Sequence, residues 1–93
     1  MSAEVADIFD GAADLIERHG WCKGVAKDER GRLCAIGALH DAAMLTHCAF
    51  GFMAEGQLEE ELGRSVAEWN DEPVRTVQEV LDALRAAAKV ARS

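Results

Sequence analysis

Ninety-three residues with a net charge of −7 make one small domain with a real but thin core. An acidic chain repels phosphate backbones. Its two basic stretches, 20–33 and 73–93 at +2 each, are too sparse for a nucleic-acid patch, which argues against nucleic-acid binding. The longest apolar stretch, 33–45, contains His40 and Asp41 and is too short to span a bilayer, so no membrane segment is expected.

The first element is an amphipathic helix. Val5, Ile8, Phe9, Ala12, Leu15 and Ile16 recur at three-and-four spacing, and Asp7, Asp10, Asp14 and Glu17 fill the other face. Ser2 can cap its start. Gly20 fits the left-handed residue after its end, and Arg18 and His19 suit the C-terminal dipole. This N-terminus is acidic, unlike a basic-then-apolar signal peptide, which points to the cytoplasm. The three cysteines, an odd number, should then stay reduced.

Residues 21–32, "WCKGVAKDERGR", read as a connection with turn signals at Gly24 and "DERG". Trp21 should fold back onto the helix just completed. Residues 33–45 are apolar almost all round. Thirteen residues rich in Ala, Leu and Met predict a helix in the middle of a bundle, with Gly37 and Ala38 allowing close approach. Residues 46–57 are irregular. A helix over 55–62 ends at Gly63, and Ser65-x-x-Glu68 starts a short helical turn reaching Trp69. "NDEP" breaks it. Thr76-x-x-Glu79 caps the last helix, with Val77, Val80, Leu81, Leu84 and Ala88 inward and Arg85, Lys89 and Arg92 toward its C-terminal end. The expected fold is all-α, a compact bundle of four to five helices in a single domain, 1–93, with a buried central helix over about 33–46.

Several constellations invite chemistry. His19, Cys22, Cys34 and His40 are all residue types that zinc accepts. However, the step from Cys34 to His40 is about 600° of helical turn, leaving the side chains roughly 120° apart. Buried thiols acting as small hydrophobes are the plainer reading, and no metal or cofactor is expected. Cys34 lies near a helix start, which can lower a thiol pKa, so a small thiol-dependent enzyme or sensor is the second reading, and structural zinc the third. Glu59, Glu60 and Glu61 splay by 100° each on a helix. They make either a solvated face or an acidic surface for a basic partner, and no catalytic residue is assigned. Trp21 and Trp69 sit at element ends as plugs, with turn carbonyls or Asn70 available to their indole N–H groups. "AFGFM", 49–53, completes the core if it folds inward. If exposed, Phe50, Phe52 and Met53 form a partner-binding patch.

The segments "AADLIERHGWCKG", "GRLCAIGAL", "VAEWND" and "RTVQEVLDALRAAA" together resemble a small domain-of-unknown-function family of actinobacteria and their phages. The resemblance runs from about residue 5 to 90 and rests on the order HGW…CAxGAL…WND…TxxEV. It implies a compact stand-alone helical protein with no catalytic residues to carry over. The brief 25–32 connection suits a phage-encoded chain acting in the host cytoplasm. Such a chain would bind a host protein, for which a DivIVA-type growth or division scaffold is one analogy. The leading expectation is therefore a non-enzymatic protein-binding module using Phe50, Phe52, Met53, Glu59, Glu60 and Glu61. Ala-rich helical faces can also form a homodimer, but nothing in the sequence demands one.

Overall fold

The two strongest amphipathic patterns of the sequence pack against each other. In the computed structural model of the chain, which describes residues 3–46 and 51–93, they form α1 (Ala3–His19) and α5 (Val77–Arg92). Between them in sequence lie α2 (Ala35–Leu45), α3 (Gly51–Leu62) and the short α4 (Val66–Asn70). The all-α bundle is thus as expected, with five helices and, among the described residues, only isolated β-bridges beside them. Ser2, the expected cap of the first helix, lies outside the described residues.

α1 buries Val5, Ala6, Ile8, Phe9, Ala12, Ala13 and Ile16, and α5 answers with Val80, Leu84, Ala87, Ala88 and Ala91. Alanine at so many of these positions brings the helix axes close. Val77, expected inward, is 41% exposed. It sits at the rim of a groove lined by Ile16, Trp21 and Leu81, beyond the end of the α1 contact. The charged flank of the α1–α5 seam is equally organised. Arg85 Nη1 donates to the Asp10 backbone carbonyl and carboxylate at 3.2 and 3.1 Å, while Nη2 donates to Asp14 and Glu17 at 2.7 and 2.9 Å. Arg92 donates to Asp10 and Asp7 at 2.6 and 3.0 Å. The acids on the polar face of α1 and the arginines near the α5 terminus are therefore one network across the seam.

The helix expected over about 33–46 starts at Ala35. Leu33 is held in extended backbone bridges to Trp21 and Lys27, and Cys34 is the N-cap, its Sγ accepting from Gly37 N at 3.4 Å. Thr46 closes the other end, its hydroxyl donating to the Ala42 and Ala43 carbonyls. α2 is buried along Ala35, Gly37, Ala38, Leu39, Ala42 and Ala43, and it packs on α1, α3 and α4. Its last turn departs from the apolar-all-round reading, because Met44 and Leu45 are exposed. The centre of the bundle is shared with α1, which packs on α2, α3 and α5.

α3 begins at Gly51, four residues before the helix expected over 55–62. Two glycines and two outward apolar residues, Phe52 and Met53, hide the helical period there. Gly51 packs closely: a Cβ on it would lie 3.2 Å from that of Ala43, which would have to shift by a few tenths of an ångström.

The connections are tied as firmly as the helices. Gly20 ends α1 at φ 96°, the left-handed conformation glycine adopts at low cost. Asn70, fully buried at the end of α4, then joins three parts of the chain. Its Oδ1 accepts from Trp21 Nε1 at 2.7 Å and from Ala35 N at 3.0 Å. Its Nδ2 donates to the Cys22 carbonyl at 3.2 Å and to Asp71 Oδ1 at 2.9 Å. Asp71 also accepts from Gly24 N, and Lys23 Nζ donates to the Glu72 and Pro73 carbonyls. "HGWCKG" and "WNDEP" are therefore two halves of one joint. On its outer side Arg75 stacks on Trp69 and donates to the Trp69 carbonyl.

The helix start beside this joint leaves no room at Gly37. A Cβ there would fall 2.1 Å from the Ala26 carbonyl oxygen, which itself accepts from Cys34 N. Alanine is the better helix former by about 0.5–1 kcal/mol. Gly37→Ala should nevertheless destabilise the protein by about 2 kcal/mol, because backbone must move. Urea unfolding measures the sign.

The α1–α5 network also sets an acid dependence. Burial pushes the Asp10 carboxyl up, but the guanidinium groups of Arg92 and Arg85 outweigh it and hold it below its ordinary range. A depressed carboxyl stabilises the fold above its unfolded-state pKa and loses that contribution as the pH falls through the lowered value. Stability should therefore fall on acidification below about pH 4. Arg85→Met should cost about 1 kcal/mol at neutral pH and flatten that acid limb, as measured by urea unfolding across pH.

Candidate interaction surface

Cys22, Cys34, His19 and His40 do not gather into one site. Cys22 is buried, and its Sγ donates to the Arg32 and Val25 carbonyls at 3.2 and 3.5 Å. Burial, with help from Asp28 and Cys34 nearby, pushes this thiol up, away from the thiolate a nucleophile needs. Cys34 is also buried, at 7% exposure, and its sulfur is occupied as the α2 cap. His40 Nε2 lies 3.0 Å from Glu55 Oε1, turned toward α3, and His19 is exposed at the end of α1. Among the described residues no three His, Cys, Asp or Glu side chains are grouped to hold a metal ion.

The three consecutive glutamates have three different surroundings. Glu59 reaches down the chain and accepts from Val66 N at 3.2 Å, so it helps cap α4. Glu60 is exposed. Glu61 is exposed on one side and borders an apolar groove of about 270 Å³ between α3 and α5, lined by Leu58, Leu62, Ala83, Ala86 and Val90. Desolvation by that groove pushes its carboxyl up. Neither Glu60 nor Glu61 forms an ion pair with a described residue. The nearest cation in sequence, Arg64, pairs with Glu68 and Glu72.

Of the aromatic stretch, Phe50 lies outside the described residues. Phe52 and Met53 point outward, 82% and 54% exposed. Phe52 makes an edge contact with the His40 ring, 5.8 Å between centroids. Met44 and Leu45 add a second exposed apolar pair at the end of α2. They wall a cleft of about 490 Å³ whose floor is Leu15 and Leu33, with His19 and the Lys27–Asp41 ion pair at its rim. Sequence reasoning missed Met44 and Leu45, since an unbroken apolar run gives no sign of which end leaves the core.

Apolar side chains stand in water at the start of α3 and the end of α2. The rest of α3 carries Glu55, Glu59, Glu60 and Glu61 with no basic residue. No helix among the described residues is long and apolar enough to cross a membrane.

A family model matches residues 1–90 of the chain. Comparison with the curated proteins and with the solved structures returns no match. The chain belongs to DUF6197, a family of unknown function.

Proposed function

We propose that this chain is a non-enzymatic protein-binding module. The observation that carries the reading is the outward placement of the neighbouring Phe52 and Met53 on α3. Exposed apolar groups rimmed by charge are the ordinary signature of a protein-binding surface. The thiol reading draws less support, because Cys34 is buried and engaged as a helix cap. In its finer form the proposal is a phage-encoded effector that acts in the host cytoplasm on a host protein, with a DivIVA-type growth or division scaffold as the analogy. The support for that form is the HGW…CAxGAL…WND…TxxEV order.

Phe52→Glu combined with Met53→Glu tests the reading. Both side chains are exposed, so the pair should change stability by no more than about 0.5 kcal/mol. In affinity purification from an actinobacterial lysate, the unaltered protein should retain a partner that the double variant loses. Identical retained proteins for the two would contradict the proposal.

A further inference from the structure

We propose that the outer face of α3 docks a basic amphipathic helix of another protein, crossing at Gly56, with Phe52 and Met53 receiving its apolar side chains and Glu60 and Glu61 its cations. This rests on the protein-binding reading and adds the chemistry of the partner. Residues 52, 56 and 60 and residues 53, 57 and 61 form two adjacent rows along α3, since side chains four apart stand above one another, and Glu61 at the end of the second row also borders the α5 groove. Ala54 and Leu58, on the other side, are buried.

Gly56 is the first sign. It lies in the interior of α3, it is exposed, and a Cβ built on it would meet nothing within 4 Å. An exposed glycine inside a helix is less stable than alanine there. Gly37 and Gly51 repay that loss with close approaches inside the fold, whereas Gly56 has none. Its bare backbone admits a close neighbour from outside the chain.

Gln57 is the second. Its Nε2 is buried without a hydrogen-bond acceptor, beside Met53, Gly56 and Glu60 in a shallow cleft of about 310 Å³. The fold itself therefore leaves this cleft incompletely satisfied.

Charge selects the occupant. On α3, Glu55 is taken by His40 and Glu59 by Val66 N, which leaves Glu60 and Glu61 without an ion-pair partner among the described residues, one turn beyond the apolar residues. A second copy of the chain does not fit. In a parallel α3–α3 crossing these glutamates would face their own copies, and in an antiparallel one they would face Phe52 and Met53. The net charge of −7 opposes both. A helix with an apolar stripe and a lysine or arginine flank satisfies both ends of the face.

The probes are synthetic helices of about 14 residues, four turns long. One has a leucine stripe and lysines elsewhere, one has glutamates for the lysines, and one has serines for the leucines. Binding is read by fluorescence polarisation and mapped by amide chemical shifts. The leucine–lysine helix should bind, with shifts concentrated over 52–61, and the other two should bind at least roughly tenfold more weakly. Gly56→Leu, which fills the crossing point, and the Glu60→Lys, Glu61→Lys pair should each weaken binding by a similar factor. Gly56→Leu should leave the protein as stable as before or more so, which separates lost docking from lost folding. Shifts mapping elsewhere, no binding by the leucine–lysine helix, or indifference to Gly56→Leu would overturn the inference. Binding of the leucine–glutamate helix on the same face would overturn the charge assignment and leave the protein-binding reading standing. Failure of every helix on α3 together with partner capture that still needs Phe52 and Met53 would sink this inference alone. Failure of both would sink the two together.

Discussion

The carboxamide of Asn70 uses all of its hydrogen-bonding capacity in one buried place. Two lone pairs accept from Trp21 and Ala35, and two N–H groups donate to Cys22 and Asp71. Each partner belongs to a segment that could not hold its position alone. α4 is five residues, far below the length at which a helix stands by itself. The 20–34 connection has only isolated bridges, and the first turn of α2 needs an acceptor for the Ala35 amide. One side chain fixes all three.

This matters because the apolar core is built largely from alanine. Its large fully buried members are few, among them Phe9, Ile8, Ile16, Leu33, Leu39, Leu58 and Leu84. Small residues bring the helices close, as where a Cβ on Gly11 would already be 3.3 Å from that of Ala42. They bury little area each, so hydrophobic burial alone leaves a narrow margin. Satisfied polar joints at the edges of the core then carry a larger share of the specificity. Asn70 seals one end, and Arg85 and Arg92 clamp the α1–α5 seam along its flank. With this frame set by α1, α2 and α5, the outer face of α3, where Phe52 and Met53 are exposed, contributes little to it.

Legibility followed the strength of the local signal. α1 and α5 could be read directly because period, caps and stop residues agree, down to the Thr76–Glu79 capping box. The indole of Trp21 finding Asn70 was also within reach, since a buried N–H needs a partner and an asparagine lay in the facing turn. α2 was harder: an apolar run has no phase, so neither the Cys34 cap nor the exposure of Met44 and Leu45 was visible. The start of α3 was hidden for a related reason, because Gly51, Phe52, Met53 and Gly56 contradict a helical stripe. Gly51 breaks the stripe for an internal reason, its close approach to Ala43. Glu59 capping α4 and Arg85 bridging to α1 were invisible because both depend on which residues tertiary packing brings together.

The account depends most on Asn70 being the joint rather than a passenger. Asn70→Ala would leave the part-buried Trp21 indole and the buried Ala35 amide as donors without their acceptor. Equilibrium urea unfolding of that variant should show a loss of about 3 kcal/mol, at roughly 1–3 kcal/mol for each unsatisfied group. The Trp21 fluorescence should report a changed environment in the folded baseline. A loss under about 1 kcal/mol with that baseline unmoved would contradict the account, since only an exposed, unshared side chain is so cheaply removed.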